Sequence, residues 1–210
     1  QNKDILNKKE LILKKINTNF YNLAISGSNN TYHRNIVKNV LVKNDKIYVS
    51  YYKKNNENCF FNSVLVGDLK HDGIKFKQFF ETNECQPFYD DNTAVGGNLA
   101  DYKKNSILMT IGGWDSYVRQ KNNNPQNIKS LIGKIISIDI LTKKAEIISM
   151  GHRNSQGLFY DKQNNVIYST DHGPEGGDEI NQHINPEVNN VKNFGWAISS
   201  YGEHYLSEEK

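Results

Sequence analysis

The feature that most constrains this chain is a repeat with a period of sixty residues. Val40-Leu41-Val42-Lys43-Asn44-Asp45-Lys46-Ile47-Tyr48-Val49-Ser50 matches Ala100 to Thr110, which in turn matches Tyr160 to Thr170. Each copy is an apolar strand, a polar turn (Asn44-Asp45, Lys104-Asn105, Asn164-Asn165) and a second strand rich in β-branched and aromatic residues. Asn tolerates the positive φ of a tight turn, and such residues favour pleated strands, so each copy predicts a β-hairpin. Further strands are expected at Phe60–Leu69 and Lys75–Phe80, and at Lys134–Ile140 and Ala145–Met150 with a turn at 141–144.

A period therefore holds about four strands, the signature of a β-propeller blade, although sixty residues exceed the ~40–50 of common blades. The surplus falls in loops such as Trp114–Lys129, rich in Asn and Gln. The expected fold is all-β, a propeller seen as a partial ring of about three to four blades, since a ring needs roughly 4 to 8 to close. The approximate blade units are 31–90, 91–150 and 151–210, with 1–30 the remnant of a preceding blade. Helical signals are scarce. Leu11-Ile12-Leu13 followed by Asn17-Thr18-Asn19 reads as a strand and a turn.

Composition narrows the function. The net charge of +3 is dispersed, and no Lys/Arg tract with interleaved aromatics marks a nucleic-acid groove. Mean hydropathy is -0.71, and no apolar run approaches the roughly 20 residues of a membrane span. The N-terminal Gln-Asn-Lys-Asp carries no signal-peptide core. Cys59 and Cys85 leave two readings open, a disulfide suited to an oxidising compartment and a pair of buried thiols.

The chemistry concentrates in Gly151-His152-Arg153-Asn154-Ser155-Gln156-Gly157 and in the segment Asp171-His172-Gly173-Pro174-Glu175-Gly176-Gly177-Asp178-Glu179-Ile180-Asn181. The hairpin between them returns both to one rim. Arg153 offers a planar fork of donors for a carboxylate, with Asn154 beside it. The pair suits an anionic, oxygen-rich ligand, or it satisfies loop carbonyls structurally. His152 points away from Arg153 and reads as a packed, hydrogen-bonded histidine. Gly173-Pro174 turns the backbone so that carbonyls are exposed, and Asp178-Glu179 adds carboxylates, the oxygen donors that calcium takes. The bland alternative is that both carboxylates cap loop amides. His33, His71, His152, His172, His183 and His204 show no transition-metal spacing.

Four ordered motifs resemble the glucose/sorbosone dehydrogenase family, the sugar dehydrogenases that use pyrroloquinoline quinone and calcium. They are Leu131-Ile132-Gly133-Lys134-Ile135, Gly151 to Gly157, Gly173-Pro174 with Asp178-Glu179-Ile180-Asn181, and Asn193-Phe194-Gly195-Trp196. The resemblance implies a six-bladed propeller and an aldose dehydrogenase that passes hydride to the quinone. By resemblance, Arg153 and Asn154 contact the quinone, and the carbonyls of Gly173 and Pro174 hold its calcium. Asp178, Glu179 and the carbonyl of Phe194 serve a second, structural calcium. The partners implied are a small-molecule sugar and the quinone, and the location is periplasmic or secreted. One part departs from the family. Its general-base His falls at Thr93 or Ala94 here, and its following Arg at Asn98. No catalytic base is assigned, and impaired activity or none is expected. A non-catalytic propeller that binds sugar or protein is the alternative.

Overall fold

The computed structural model describes residues 15–24, 37–54, 59–84, 86–87, 95–113, 123–174, 176–187, 189–200 and 202. Thr93, Ala94, Cys85 and the side chain of Cys59 lie outside the described residues, as do the expected strand at Leu11–Leu13 and positions 114–122 of the long Asn- and Gln-rich loop.

Three antiparallel sheets follow one another along the chain. The first contains β2 (Val37–Lys43), β3 (Lys46–Lys54), β4 (Cys59–Asp68) and β6 (Lys77–Glu81), adjacent in that order, with β7 (Gln86–Pro87) on the far end of β4. The second contains β8 (Gly96–Tyr102), β9 (Ser106–Ile111), β10 (Lys134–Asp139) and β11 (Ala145–Met150). The third contains β12 (Ser155–Asp161), β13 (Val166–Asp171) and β14 (Glu179–Ile184). The hairpins of the sixty-residue repeat are β2–β3, β8–β9 and β12–β13. The first strand of each lies beside the first strand of the next, which is how propeller blades are set around an axis.

Alternation along the strands builds the core between sheets. In β9, Ile107, Met109 and Ile111 face the first sheet, where Tyr48, Val64, Val66 and Phe79 meet them. Leu108, on the opposite face, joins Ala100, Tyr102, Ile135, Ile148 and Ile167 between the second and third sheets. The second sheet is thus covered on both faces, which explains the nearly unbroken burial along β9 and β10. Each fully buried Ile or Leu contributes on the order of 1.5–3 kcal/mol. At the far end of these hairpins Lys43 Nζ is buried on Asp101 at 2.5 Å and on the carbonyls of Tyr102, Lys103 and Ser106 at 2.8, 2.6 and 2.8 Å. Lys162 reaches the other oxygen of Asp101 at 2.6 Å, so one carboxylate ties three hairpins.

Three details differ from the sequence expectations. Asn17–Thr18 is a short strand, β1, parallel to β5 (Gly73–Ile74), rather than a turn, and Phe20–Ala24 forms a one-turn helix, α1. Asn19, between the two, is tied to the backbone of one residue, accepting from Phe76 N–H at 2.7 Å and donating to Phe76 O at 3.0 Å. Asn44, Asp45 and Asn165 take the positive φ expected of them, but in the middle hairpin Lys103 does so. The third sheet has three described strands, not four. After β14 the chain returns to the second sheet, where β15 (Lys192–Asn193) runs parallel to β11.

Candidate functional site

The four motifs converge on one turn. After β11 the backbone reverses at Gly151, with φ +74 and no room for a Cβ against Asn193. Gly151 N–H donates to Pro125 O at 3.0 Å, and its carbonyl accepts from Trp196 N–H at 3.0 Å. His152 N–H donates to Gly133 O at 3.1 Å, and Arg153 O accepts from Gly113 N–H at 2.6 Å. Gly133, at φ +69, is required because a Cβ there would lie 2.6 Å from Pro125 Cβ and 2.8 Å from His152 O. Lys134, next in line, is buried, with Nζ on the carbonyls of Asn124, Pro125 and Ile132 at 2.8, 2.9 and 2.8 Å. Burial pushes its pKa down to about 8. Gln126 extends the same loop to Asn193 and to Trp196 O.

Beneath the turn lies a closed polar network. His152 is fully buried, its Nδ1 3.0 Å from Asp171 Oδ2 and its Nε2 2.8 Å from Ser149 Oγ. Ser155 Oγ donates to the same Asp171 oxygen at 2.7 Å, and Asn154 N–H to the other at 2.5 Å. Burial works to raise the Asp171 pKa, but His152 and the bonds from Asn154 and Ser155 outweigh it and hold the carboxyl below its ordinary value. The ring of Phe194 packs 5.0 Å from that of His152. His152 is thus the structural histidine the sequence suggested. Asp171, which the sequence reading gave no role, is the centre of the network. The available signal was register, since Ser155 and Asp171 are cross-strand partners in β12–β13.

Arg153 lies on the other side of the turn, 9 % exposed. Its Nη1 donates to His172 O at 3.1 Å and Gly173 O at 2.9 Å, and Cζ sits 5.5 Å from the Trp196 ring centre. Asn154 Oδ1 accepts from Gly96 N–H at 3.3 Å and Gln156 Nε2 at 2.6 Å, linking the start of β8 to that of β12. Asn98, which the resemblance sets at the place of the family Arg, accepts from Asn39 Nδ2 at 2.9 Å and donates to Gln156 O. Arg153, Asn154 and Gly173 are therefore brought together.

The proposed metal residues gather less completely. Pro174 is buried. Asp178 is exposed, capping Gly173 N–H at 3.1 Å and lying 3.5 Å from His172 Nδ1. Glu179, cross-strand to Asp171, accepts from Asn181 Nδ2 at 3.1 Å. Among the described residues no group of three His, Cys, Asp or Glu side chains is placed to hold a metal ion. No described helix is long and apolar enough to cross a membrane.

The profile of the family described as Glucose / Sorbosone dehydrogenase matches residues 36–210. Aldose sugar dehydrogenase YliI of Escherichia coli is 27% identical over 175 residues, covering 76% of this chain and 44% of that protein. An uncharacterized protein of Synechocystis is 30% identical over 172 residues, 70% of this chain and 39% of its own. Among solved structures, the soluble aldose sugar dehydrogenase of Escherichia coli in its apo-form superposes with a TM-score of 0.61 at 25% identity, covering 78% of this chain and 48% of that one. A glucose dehydrogenase crystal structure superposes with a TM-score of 0.65 at 24% identity, over 80% of this chain and 51% of that one. The chain spans about half the length of these relatives or less. The three sheets have the β-propeller fold, and the chain belongs to the glucose/sorbosone dehydrogenase family.

Proposed function

We propose that this chain carries the ligand-gripping part of an aldose dehydrogenase site that uses pyrroloquinoline quinone, with catalysis weakened by the loss of the family base. The observation that carries this reading is Arg153, a buried guanidinium fixed between two loop carbonyls and an indole face, at the rim where the four motifs meet. A permanently charged planar fork in a low-dielectric setting favours a carboxylated planar ligand. Such a quinone, when bound, supplies the two-electron acceptor for a sugar hydroxyl. Arg153 would neutralise one of its carboxylates, and the Asn154–Gly96 bond fixes the spacing between Arg153 and the start of β8.

For calcium the fit is poorer. Gly173 O, one of the two carbonyls assigned to it, already accepts from Arg153 at 2.9 Å, and a second cation there is repelled unless the guanidinium moves off. Asp178, Glu179 and the Phe194 carbonyl are the proposed second calcium site, and the blade units 31–90, 91–150 and 151–210 are the proposed division of the chain. The proposed location is the periplasm or the exterior, checked by cell fractionation.

Thr93 and Ala94 do not accept a proton near neutral pH, and a missing general base costs typically 10²–10⁴-fold. This favours the second reading, a propeller that binds without turnover. Dye-coupled assays with added quinone, calcium and a panel of aldoses decide between them, using Ala94→His and Thr93→His beside the parent. A gain of ~10²-fold or more in either variant supports a weakened dehydrogenase. No reduction by parent or variants, with the quinone bound, supports the binding module. Absence of quinone binding sinks the proposal.

A further inference from the structure

Each inner strand is irregular at the same place. The register of β2 against β3 slips between Val37 and Asn39, which leaves Lys38 as the extra residue. That of β8 slips between Gly96 and Leu99, at Gly97–Asn98, and that of β12 between Ser155 and Gly157, at Gln156. A β-bulge bends its strand and re-aims a side chain, often beside a binding site. These three bulges adjoin one another. A Cβ on Gly97 would lie 2.8 Å from Lys38 Cβ and Cγ, so the glycine leaves room for the lysine stem. Asn98 Nδ2 donates to Gln156 O, and Gln156 Nε2 to Asn154 Oδ1, which leads to Arg153. Lys38 thus stands on the rim that carries Arg153, two blades away.

Lys38 is half-buried. Its Nζ lies 4.6 Å from the Tyr52 ring centre, and among the described residues no carboxylate pairs with it. Lys43, five positions along the same strand, shows the contrast with its carboxylate and three carbonyls. Burial lowers the Lys38 pKa from its ordinary value. An aromatic face supports a cation but does not neutralise it, and a partly desolvated ammonium is completed by an anion.

We infer that Lys38 binds a carboxylate of the small molecule received at this rim, facing Arg153 across the Asn98–Gln156 bridge. The carboxylate belongs either to an acidic sugar or to the quinone. Only the identity of the ligand rests on the function proposed above; the charge recognition does not.

The test titrates full-length protein, Lys38→Gln and Lys38→Arg with D-glucuronate, D-glucose and pyrroloquinoline quinone at low and high salt. Lys38→Gln is expected to weaken one of the two acids roughly tenfold, to leave glucose unchanged and to flatten the salt dependence, while Lys38→Arg retains most of the affinity. The arm that weakens identifies the carboxylate's owner. Unchanged affinity for both acids in Lys38→Gln, or no binding of either acid by the parent, overturns the inference. Should Lys38→Gln not fold, Lys38→Arg decides, and a loss as large as tenfold there also overturns it. Dye reduction with a neutral aldose and quinone checks the dehydrogenase reading separately, and it can fail while the glucuronate arm holds.

Discussion

Replacing Asp171 by Ala removes the acceptor for three donors at once: Asn154 N–H, Ser155 Oγ–H and His152 Nδ1–H. A buried donor left without a partner costs about 1–3 kcal/mol. Two of the three can find new partners. Ser155 Oγ lies 3.3 Å from His152 Nδ1, so after a change of tautomer the hydroxyl donates to that nitrogen while Nε2–H donates to Ser149 Oγ. Asn154 N–H has no such escape; about 1–3 kcal/mol for that unpaired amide and about 1 kcal/mol for each of the two weakened bonds set the total at about 3–5 kcal/mol. At ~2–4 °C per kcal/mol for a chain of this size, the melting temperature falls by roughly 6–20 °C. Asp171→Asn keeps one acceptor and costs less, about 1–2 kcal/mol. The assay is thermal and urea unfolding of both variants beside the parent. Because the Asp171 pKa is lower in the folded state, its contribution is present above the unfolded value of about 3.9 and is lost as pH falls through the folded one. The gap between parent and Asp171→Asn therefore narrows in acid. An Asp171→Ala protein that melts within about 2 °C of the parent at neutral pH refutes the network argument.

Two further outcomes are expected. Gly133→Ala forces a Cβ to 2.6 Å from Pro125 Cβ at φ +69, and unfolding in urea should show a loss of about 2–4 kcal/mol. Lys134 has a folded pKa of about 8, below its unfolded value of about 10.4, so folding discards its proton between those values and stability rises with pH there. Relative to Lys134→Met, the parent should gain up to about 3 kcal/mol from pH 8 to 10.5, less whatever the three carbonyl bonds give the charged form. A pH-independent difference in urea midpoints contradicts it.

The hairpins were legible because their signal is local. Strand pairs such as β2–β3 and β12–β13 announce themselves through β-branched residues around an Asn turn, and sixty-residue spacing multiplies the signal. Arg153, Asn154 and Gly173 were legible as one group because a hairpin must return its two ends together. The bulge at Lys38 and the network around Asp171 were not. A bulge leaves no mark in the hydrophobic alternation, and a buried carboxylate in a strand reads like an exposed one until its partners are known. The two-residue strand β1 was hidden for a related reason. It is held by Phe76 and Gly73, more than fifty positions away, not by its own propensity.

The return of the chain at Lys192–Asn193 has a consequence for assembly order. β15 closes the edge of β11, yet it is made only after all of β12, β13 and β14. During synthesis the middle sheet therefore presents a bare row of amides and carbonyls until the third hairpin has passed and come back. Phe194 N–H then donates to Met150 O at 2.9 Å, and Trp196 N–H to Gly151 O, fastening the seam at the very turn that carries Arg153. Completion of the middle sheet and closure of the turn that carries Arg153 therefore depend on the same late segment, and a nascent chain halted before position 192 has neither.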